Sequence, residues 1–137
     1  VPDLPCEEAA DLIKFAKLEK VATIFLSSPT STPERIRDIA KNSKGFIYYV
    51  SLTGVTGARR ELPEDIASKI KAIRSVTDKP VAVGFGVSNS KQAAQVAKVA
   101  DGVIVGSAIV KIIGEKNNIL PRVYRFAKTI AKAVHGA

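Results

Sequence analysis

Apolar residues follow two different spacings along this chain, and their succession predicts short strands separated by helices. Four runs of consecutive apolar, β-favouring residues predict buried strands near residues 21–27, 46–51, 81–84 and 102–105. Continuous apolar runs are typical of parallel strands that are covered on both faces. Between the runs, apolar residues recur three or four positions apart, as in amphipathic helices. Helices are expected at residues 7–19, 33–41, 62–76, 91–99, 107–113 and 120–134.

The order of these elements predicts an α/β protein made of β/α units. Each unit takes about 25–30 residues, the repeat of a TIM (β/α)8 barrel, and a complete barrel needs eight units in about 250 residues. The chain has 137 residues, contains no methionine and opens on Val-Pro-Asp-Leu-Pro, which is typical of a strand end. We therefore expect one domain over residues 1–137 that forms a half barrel from about the last four β/α units.

A half barrel would leave two open sheet edges and an exposed inner face. Unpaired strand edges favour association with other strands. The chain is therefore expected to self-associate or to require the N-terminal half of the barrel.

Glycines stand where the last two predicted strands end. Gly84 and Gly86 follow the third strand, and Gly106-Ser107 lie between the fourth strand and a helix. A helix start leaves backbone N–H groups free and carries the positive end of the helix dipole, so it binds anions. The loops after the last two strands form the usual phosphate site of a barrel. The pattern predicts a phosphate-bearing small-molecule ligand, although paired glycines also permit a simple tight strand exit.

Composition narrows the classes of function. The net charge is +8, but the basic residues are scattered without a dense run, which favours a solvated surface that steers anions over a nucleic-acid site. No apolar run approaches the roughly 20 residues of a membrane span, and no leader peptide is recognisable. The single cysteine and single histidine, Cys6 and His135, predict neither a metal cluster nor a nucleophile pair. We expect an intracellular, cytoplasmic protein.

Five motifs, in their order and spacing, resemble those of the alpha subunit of tryptophan synthase. They are residues 2–5 (PDLP), 46–51 (FIYYVS), 54–58 (GVTGA), 84–86 (GFG) and 106–111 (GSAIVK). The resemblance implies a TIM barrel with carbon–carbon lyase activity in tryptophan biosynthesis. Its reaction splits indole-3-glycerol phosphate into indole and glyceraldehyde 3-phosphate. The indole passes to a beta subunit that carries pyridoxal phosphate, and the alpha chain has no cofactor of its own.

The resemblance also implies roles for individual residues. Residues 52–61 correspond to a lid loop, in which Thr56 reaches a catalytic aspartate in the closed state. Asp3 lies near the contact with the beta subunit, as does Pro5. The phosphate-binding backbone groups belong to Gly57, Gly86, Gly106 and Ser107, and Gly84 lies in the same loop as Gly86. The side chains that line the substrate cavity are those of Leu26, Tyr48 and Phe85. For the cavity-lining side chains, a place in the barrel core is the alternative.

The two catalytic carboxylates that the resemblance implies lie upstream, on the second strand and in the loop after it. This chain would then hold the phosphate site, the lid and part of the indole pocket, but no catalytic residue. Losing one positioned proton-transfer group costs about 10²–10⁴ in rate, so the chain alone is expected to be inactive. A stand-alone indole-releasing lyase as in some plants, where it would be plastidic, remains an alternative. So do a non-catalytic phosphate-binding half barrel and another barrel enzyme of histidine or tryptophan biosynthesis.

Overall fold

A computed structural model describes residues 2–51, 65–84 and 86–137. Within these residues, four parallel strands form one sheet in the order β1-β2-β3-β4. The strands are β1 (Leu26–Ser27), β2 (Ile47–Val50), β3 (Val81–Gly84) and β4 (Gly102–Ile104). The helices are α1 (Ala10–Leu18), α2 (Pro33–Asn42), α3 (Ile66–Arg74), α4 (Ser90–Ala97), α5 (Ser107–Gly114) and α6 (Ile119–His135), and a 3-10 turn at Cys6–Glu8 precedes α1.

The first strand is much shorter than residues 21–27, which the apolar run predicts. Residues just before β1 bond mainly to the connection between α2 and β2, although the Phe25 carbonyl also accepts from the Tyr48 N–H of β2 at 3.3 Å. The Lys44 N–H donates to the Thr23 carbonyl at 2.7 Å, and the Phe25 N–H donates to the Ser43 hydroxyl at 3.1 Å. The other predicted strands agree with the sheet to within one residue at either end. Of the helix expected over 62–76, residues 62–64 lie outside the described residues.

Side-chain caps set the starts of α2 and α4. The Thr32 hydroxyl accepts a hydrogen bond from the Arg35 N–H at 3.3 Å, and proline follows at the first helical position. The Asn89 side chain accepts from the Gln92 N–H at 3.0 Å. Caps of this kind satisfy amide donors that a helix cannot pair internally and typically contribute about 1 kcal/mol.

The hydrophobic core lies between one face of the sheet and the helices. Alternate strand residues point to opposite faces. On β2 and β3 the helix-facing positions are at most 2% exposed and belong to one buried cluster with residues of the covering helices. Strand members of this cluster are Ile47, Tyr49, Val81 and Val83, and helix members include Ile39, Ile70, Ile73 and Val96.

The other face of the sheet, which we call the inner face, carries the remaining strand positions. One row of register partners consists of Leu26, Tyr48, Ala82 and Gly102. The next row consists of Val50, Gly84 and Ile104. Most of these residues are partly exposed, so the described helices cover one face of the sheet and leave the inner face open.

Asp101 holds the amino end of β3. Its carboxylate accepts from the Val81 N–H at 2.9 Å and from the Arg74 guanidinium at 2.8 Å. The hydrogen bond from Val81 is the main reason why the pKa of this carboxyl lies below its ordinary value, and Arg74 adds to the effect. The contact joins α3, β3 and the start of β4 at the amino end of the strands, opposite the end where Gly84 lies.

Both outer strands have a neighbour on one side only. Among the described residues, β1 pairs with β2 and β4 pairs with β3, and neither has a second partner. An apolar groove of about 180 Å³ lies beside β1, where the neighbouring side chains of Leu18 and Val21 are 67% and 61% exposed. A similar groove of about 240 Å³ lies beside β4, lined by Val103 and by Phe126 of α6. Apolar surface of this kind is therefore open at each edge of the sheet.

Candidate functional site

Two glycines lie together beyond the carboxyl ends of the last two strands. Gly84 and Ile104 are register partners at the ends of β3 and β4. Gly86 and Gly106 each follow two residues later, and both are exposed. In parallel β/α folds, ligands bind at this end of the strands.

The first of these glycines adopts a backbone conformation that favours glycine. Gly86 has a φ of +38°, in the left-handed region that side chains with a Cβ rarely adopt. The loop behind it is held by a buried side chain, since the Gln92 carbonyl oxygen accepts from the Ser88 N–H at 2.9 Å and from the Ser88 hydroxyl at 3.1 Å. The turn at Gly86 is therefore fixed from the helix side and open toward solvent.

The second glycine is required neither by packing nor by its backbone conformation. Gly106 precedes α5 with a φ of −116°, and a Cβ built on it would meet no atom within 4 Å. Its carbonyl accepts from the Ile109 and Val110 N–H groups at 2.9 and 3.1 Å, so the helix is regular from its first turn. Unlike α2 and α4, α5 has no side-chain cap among the described residues. The first amides of α5, beginning at the exposed Ser107, thus lack a side-chain cap and lie at the positive end of the helix dipole.

The inner face continues this site below the glycines. Tyr48 lies on β2, and a Cβ on Gly84 would come within 2.7 Å of its ring carbon Cε1. The ring therefore occupies the space that the missing side chain leaves. Leu26 is the register partner of Tyr48 and is also partly exposed. The inner face of the described strands holds no carboxylate, so those strands supply no acid–base pair.

The two positions expected at a subunit contact, Asp3 and Pro5, lie close to Leu26 of the inner face. Asp3 and Pro5 line a recess of about 220 Å³ together with Leu26 and Arg35. Asp3 is exposed. Arg35 forms an ion pair with Glu7 at 3.5 Å. The recess lies against the beginning of β1, since Phe25 and Leu26 are among its lining residues.

Several predicted site residues cannot be placed. Thr56, Gly57 and the whole lid loop 52–61 lie outside the described residues, as does Phe85. The structure brings together Leu26, Tyr48 and Gly84 on the inner face, and Gly86, Gly106 and Ser107 at the carboxyl ends of the strands. It also shows two residues that the sequence analysis missed, Gln92 and Ser51. The sequence signal for Gln92 was its place three residues after the capping Asn89.

The side chains whose pKa values are raised, Tyr49 and Cys6, do not belong to the glycine turns at Gly86 and Gly106. Burial raises the pKa of Tyr49, on the helix-facing side of β2, to about 12. Burial also raises the pKa of the Cys6 thiol. Within the described ranges, no group of three or more metal-ligating side chains occurs, and no helix is both long and apolar enough to cross a bilayer.

Parallel β/α units with their open glycine turns at the carboxyl ends of the strands place this chain in the β/α-barrel class of α/β proteins. A family model for the tryptophan synthase alpha chain matches residues 1–135, and the chain belongs to that family. The expected α/β half-barrel fold is thereby confirmed.

Curated relatives and solved structures agree with this assignment. The tryptophan synthase alpha chain of Microcystis aeruginosa is 47% identical over 137 residues, which cover 98% of this chain and 52% of the relative. The corresponding chain of Geobacter sulfurreducens is 54% identical over 110 residues, covering 80% and 42%. A structure of Mycobacterium tuberculosis tryptophan synthase superimposes with a TM-score of 0.85 at 41% identity, covering 97% of this chain and 49% of that one.

A structure of the tryptophan synthase α2β2 complex from Pyrococcus furiosus gives a TM-score of 0.79 at 38% identity. It covers 98% of this chain and 54% of its match. The chain thus spans about half the length of the curated relatives and solved chains that it matches.

Proposed function

We propose that this chain supplies the phosphate-binding half of a tryptophan synthase alpha-type lyase. The reaction is cleavage of indole-3-glycerol phosphate to indole and glyceraldehyde 3-phosphate, a step of tryptophan biosynthesis. Family membership supports the proposal, and so does the position of the open glycine turns at the carboxyl ends of β3 and β4.

One observation carries the assignment of the phosphate position. Gly106 has empty space where a Cβ would be, at the start of a helix that has no side-chain cap among the described residues. An anion held there gains about 0.3–1 kcal/mol from the helix dipole, and about 2 kcal/mol in a partly buried geometry. Backbone donors from Gly86 and, outside the described residues, Gly57 complete the phosphate cradle in this proposal.

The substrate's indole ring would lie on the inner face. Tyr48 and Leu26 form a partly exposed wall there, with Phe85 expected beside them. Because this wall has no carboxylate, the proton-transfer groups of the lyase must come from elsewhere in the enzyme. We therefore propose that residues 1–137 bind the phosphate end of the substrate but do not cleave it alone.

The open edges at β1 and β4 support a further part of this proposal. We infer that they are covered by additional β/α units, either those of an N-terminal half or those of a second copy of this chain. Sedimentation of the 137-residue chain tests this point. A stable, compact monomer with no tendency to associate would contradict it.

We also propose a beta subunit as partner, contacted through the recess of Asp3 and Pro5. Pyridoxal phosphate belongs to that partner, and the alpha-type chain works without a cofactor. A cytoplasmic location fits this role, or a plastid if the source is a plant. Loss of beta-subunit binding on substitution of Asp3 by alanine is the expected result.

Titration of the chain with glycerol 3-phosphate tests the phosphate site. We expect the amide resonances of Gly86, Gly106 and Ser107 to shift together and to saturate, with glycerol as the control that lacks the phosphate. Resonances that stay in place at millimolar ligand would remove the phosphate assignment. Release of indole from indole-3-glycerol phosphate by the same chain would contradict the proposed absence of cleavage.

A further inference from the structure

Ser51 makes a double contact with the last residue of β3. The Gly84 carbonyl accepts a hydrogen bond from the Ser51 backbone N–H at 3.2 Å and a longer one from the Ser51 hydroxyl at 3.4 Å. Ser51 is only 4% exposed, and Gly84 is buried. The residue that directly follows β2 thus holds the end of β3 through a backbone donor and an additional side-chain donor.

The position of this contact gives it a consequence for the loop that follows. Strand β3 ends at Gly84, and Gly86 lies two residues further on in a left-handed conformation. Because a peptide group is planar, fixing the Gly84 carbonyl fixes the plane through which the chain leaves the strand. Gly84 has no side chain, so hydrogen bonds can orient it only through its backbone groups, and its carbonyl is the one that belongs to this peptide plane.

We propose that Ser51 is a positioning residue for the phosphate loop. Its hydroxyl helps to orient the Gly84 carbonyl and thereby sets the direction in which the Gly86 backbone faces the ligand. Ser51 does not touch the phosphate in this arrangement. The inference rests on the proposed phosphate site and adds to it the residue that directly follows β2.

A second buried serine provides a matched control. The Ser43 hydroxyl accepts from the Phe25 N–H at 3.1 Å, ahead of the amino end of β2, and Ser43 is 0% exposed. Removing either hydroxyl deletes a buried hydrogen bond of the sheet. Only Ser51 is bonded to the strand that leads to Gly86.

The experiment compares Ser51→Ala, Ser51→Cys and Ser43→Ala in the full chain. Affinity for glycerol 3-phosphate and the amide spectrum of Gly86 are measured alongside urea unfolding. Cysteine fills the serine site with a slightly larger atom but is a weak donor, so comparing it with alanine separates loss of the hydrogen bond from loss of packing. We expect both Ser51 variants to bind about two- to tenfold more weakly and to shift the Gly86 amide, whereas Ser43→Ala lowers stability and leaves both unchanged.

The possible failures are distinguishable. If the parent chain binds glycerol 3-phosphate and the Ser51 variants bind it equally well, Ser51 has no positioning role. A loss of affinity in Ser43→Ala as large as in Ser51→Ala would show that general destabilisation is the cause and would overturn the inference. If the parent chain does not bind the ligand, the proposed phosphate site fails, and Ser51 then positions nothing.

Discussion

The aromatic ring of Tyr48 fills the space above Gly84 on the inner face of the sheet. A Cβ on Gly84 would overlap the Tyr48 hydroxyl and come within 2.7 Å of the ring carbons Cε1 and Cζ. The two residues lie on neighbouring strands, two residue pairs apart in the register and therefore on the same face. The Tyr48 ring therefore occupies the volume that a side chain at position 84 would need, so a larger residue at position 84 requires a smaller one at position 48.

This relationship predicts a compensating pair of substitutions. Gly84→Ala should destabilise the chain by about 1–3 kcal/mol, the usual cost of overpacking, because the added methyl displaces the Tyr48 ring. Combining it with Tyr48→Val removes the overlapping ring and should recover most of the loss. Urea unfolding of the two single variants and the double variant measures the coupling, and additive effects would show that the two side chains do not compete for this space.

Gly106 should respond in the opposite way. Gly106→Ala adds a methyl to open space at an ordinary φ, so stability should stay within about 1 kcal/mol of the parent. The methyl would stand where the proposed phosphate lies, and affinity for glycerol 3-phosphate should fall at least about tenfold, equivalent to about 1.4 kcal/mol. Gly114→Ala at the other end of α5 also meets no atom and should leave binding unchanged. Equal binding by the two variants would contradict the phosphate position.

Two fully buried serines, Ser27 in β1 and Ser43 directly after α2, should differ in how strongly their replacement by alanine changes stability. The Ser27 hydroxyl is buried without a hydrogen-bond partner among the described residues, so Ser27→Ala removes an unsatisfied polar group and should be neutral or stabilising. Ser43→Ala leaves the Phe25 N–H without its acceptor and should cost about 1–3 kcal/mol. Urea midpoints of the two variants give the comparison. A larger loss for Ser27→Ala would show that its hydroxyl has a partner after all.

Asp101 predicts a specific dependence of stability on pH. Its pKa in the folded chain lies below the ordinary 3.8, so the carboxylate favours folding above that value and this contribution is lost as the pH falls through the folded pKa. Asp101→Asn should therefore be less stable than the parent at pH 7, by at most about 1 kcal/mol since the ion pair with Arg74 is largely exposed.

The same difference in stability should shrink as the pH falls below about 4. Urea unfolding at pH 7, 4 and 3 follows it. Asp78→Asn is a suitable control, because it makes the same substitution at an exposed position between α3 and β3. A gap between parent and Asp101→Asn that stays constant with pH would exclude Asp101 as the titrating group.

Periodicity predicted the order of elements because each β/α unit carries its own local pattern. The strand at 81–84 and the helix start at Pro33 follow directly from the apolar run and from the cap and proline signals. The short β1 could not be predicted, since the residues before it form hydrogen bonds with Ser43, which accepts from the Phe25 N–H, and with Lys44, which donates to the Thr23 carbonyl. Local sequence contains no information on which neighbour will accept a given backbone group.

The site was predictable to the extent that backbone groups form it. Gly86 and Gly106 are visible in the sequence, and parallel pairing of β3 with β4 brings them to one edge. The contacts of Tyr48 with Gly84 and of Ser51 with the Gly84 carbonyl depend on the register between strands that are more than thirty residues apart. No short-range pattern specifies that register, so these contacts became visible only in three dimensions. Thr56, Gly57 and Phe85 stay predictions.

The two ends of β3 differ in the contacts that they make. Asp101 and Arg74 tie down its beginning, whereas Gly84 and the open turn at Gly86 form its end. At the carboxyl-end rim, substitutions in the open space at Gly106 would alter the proposed anion site with little loss of stability, whereas changes around Asp101 would lower stability and leave that site intact. A selection for altered ligand preference would accordingly accumulate substitutions at one rim of the sheet and spare the other.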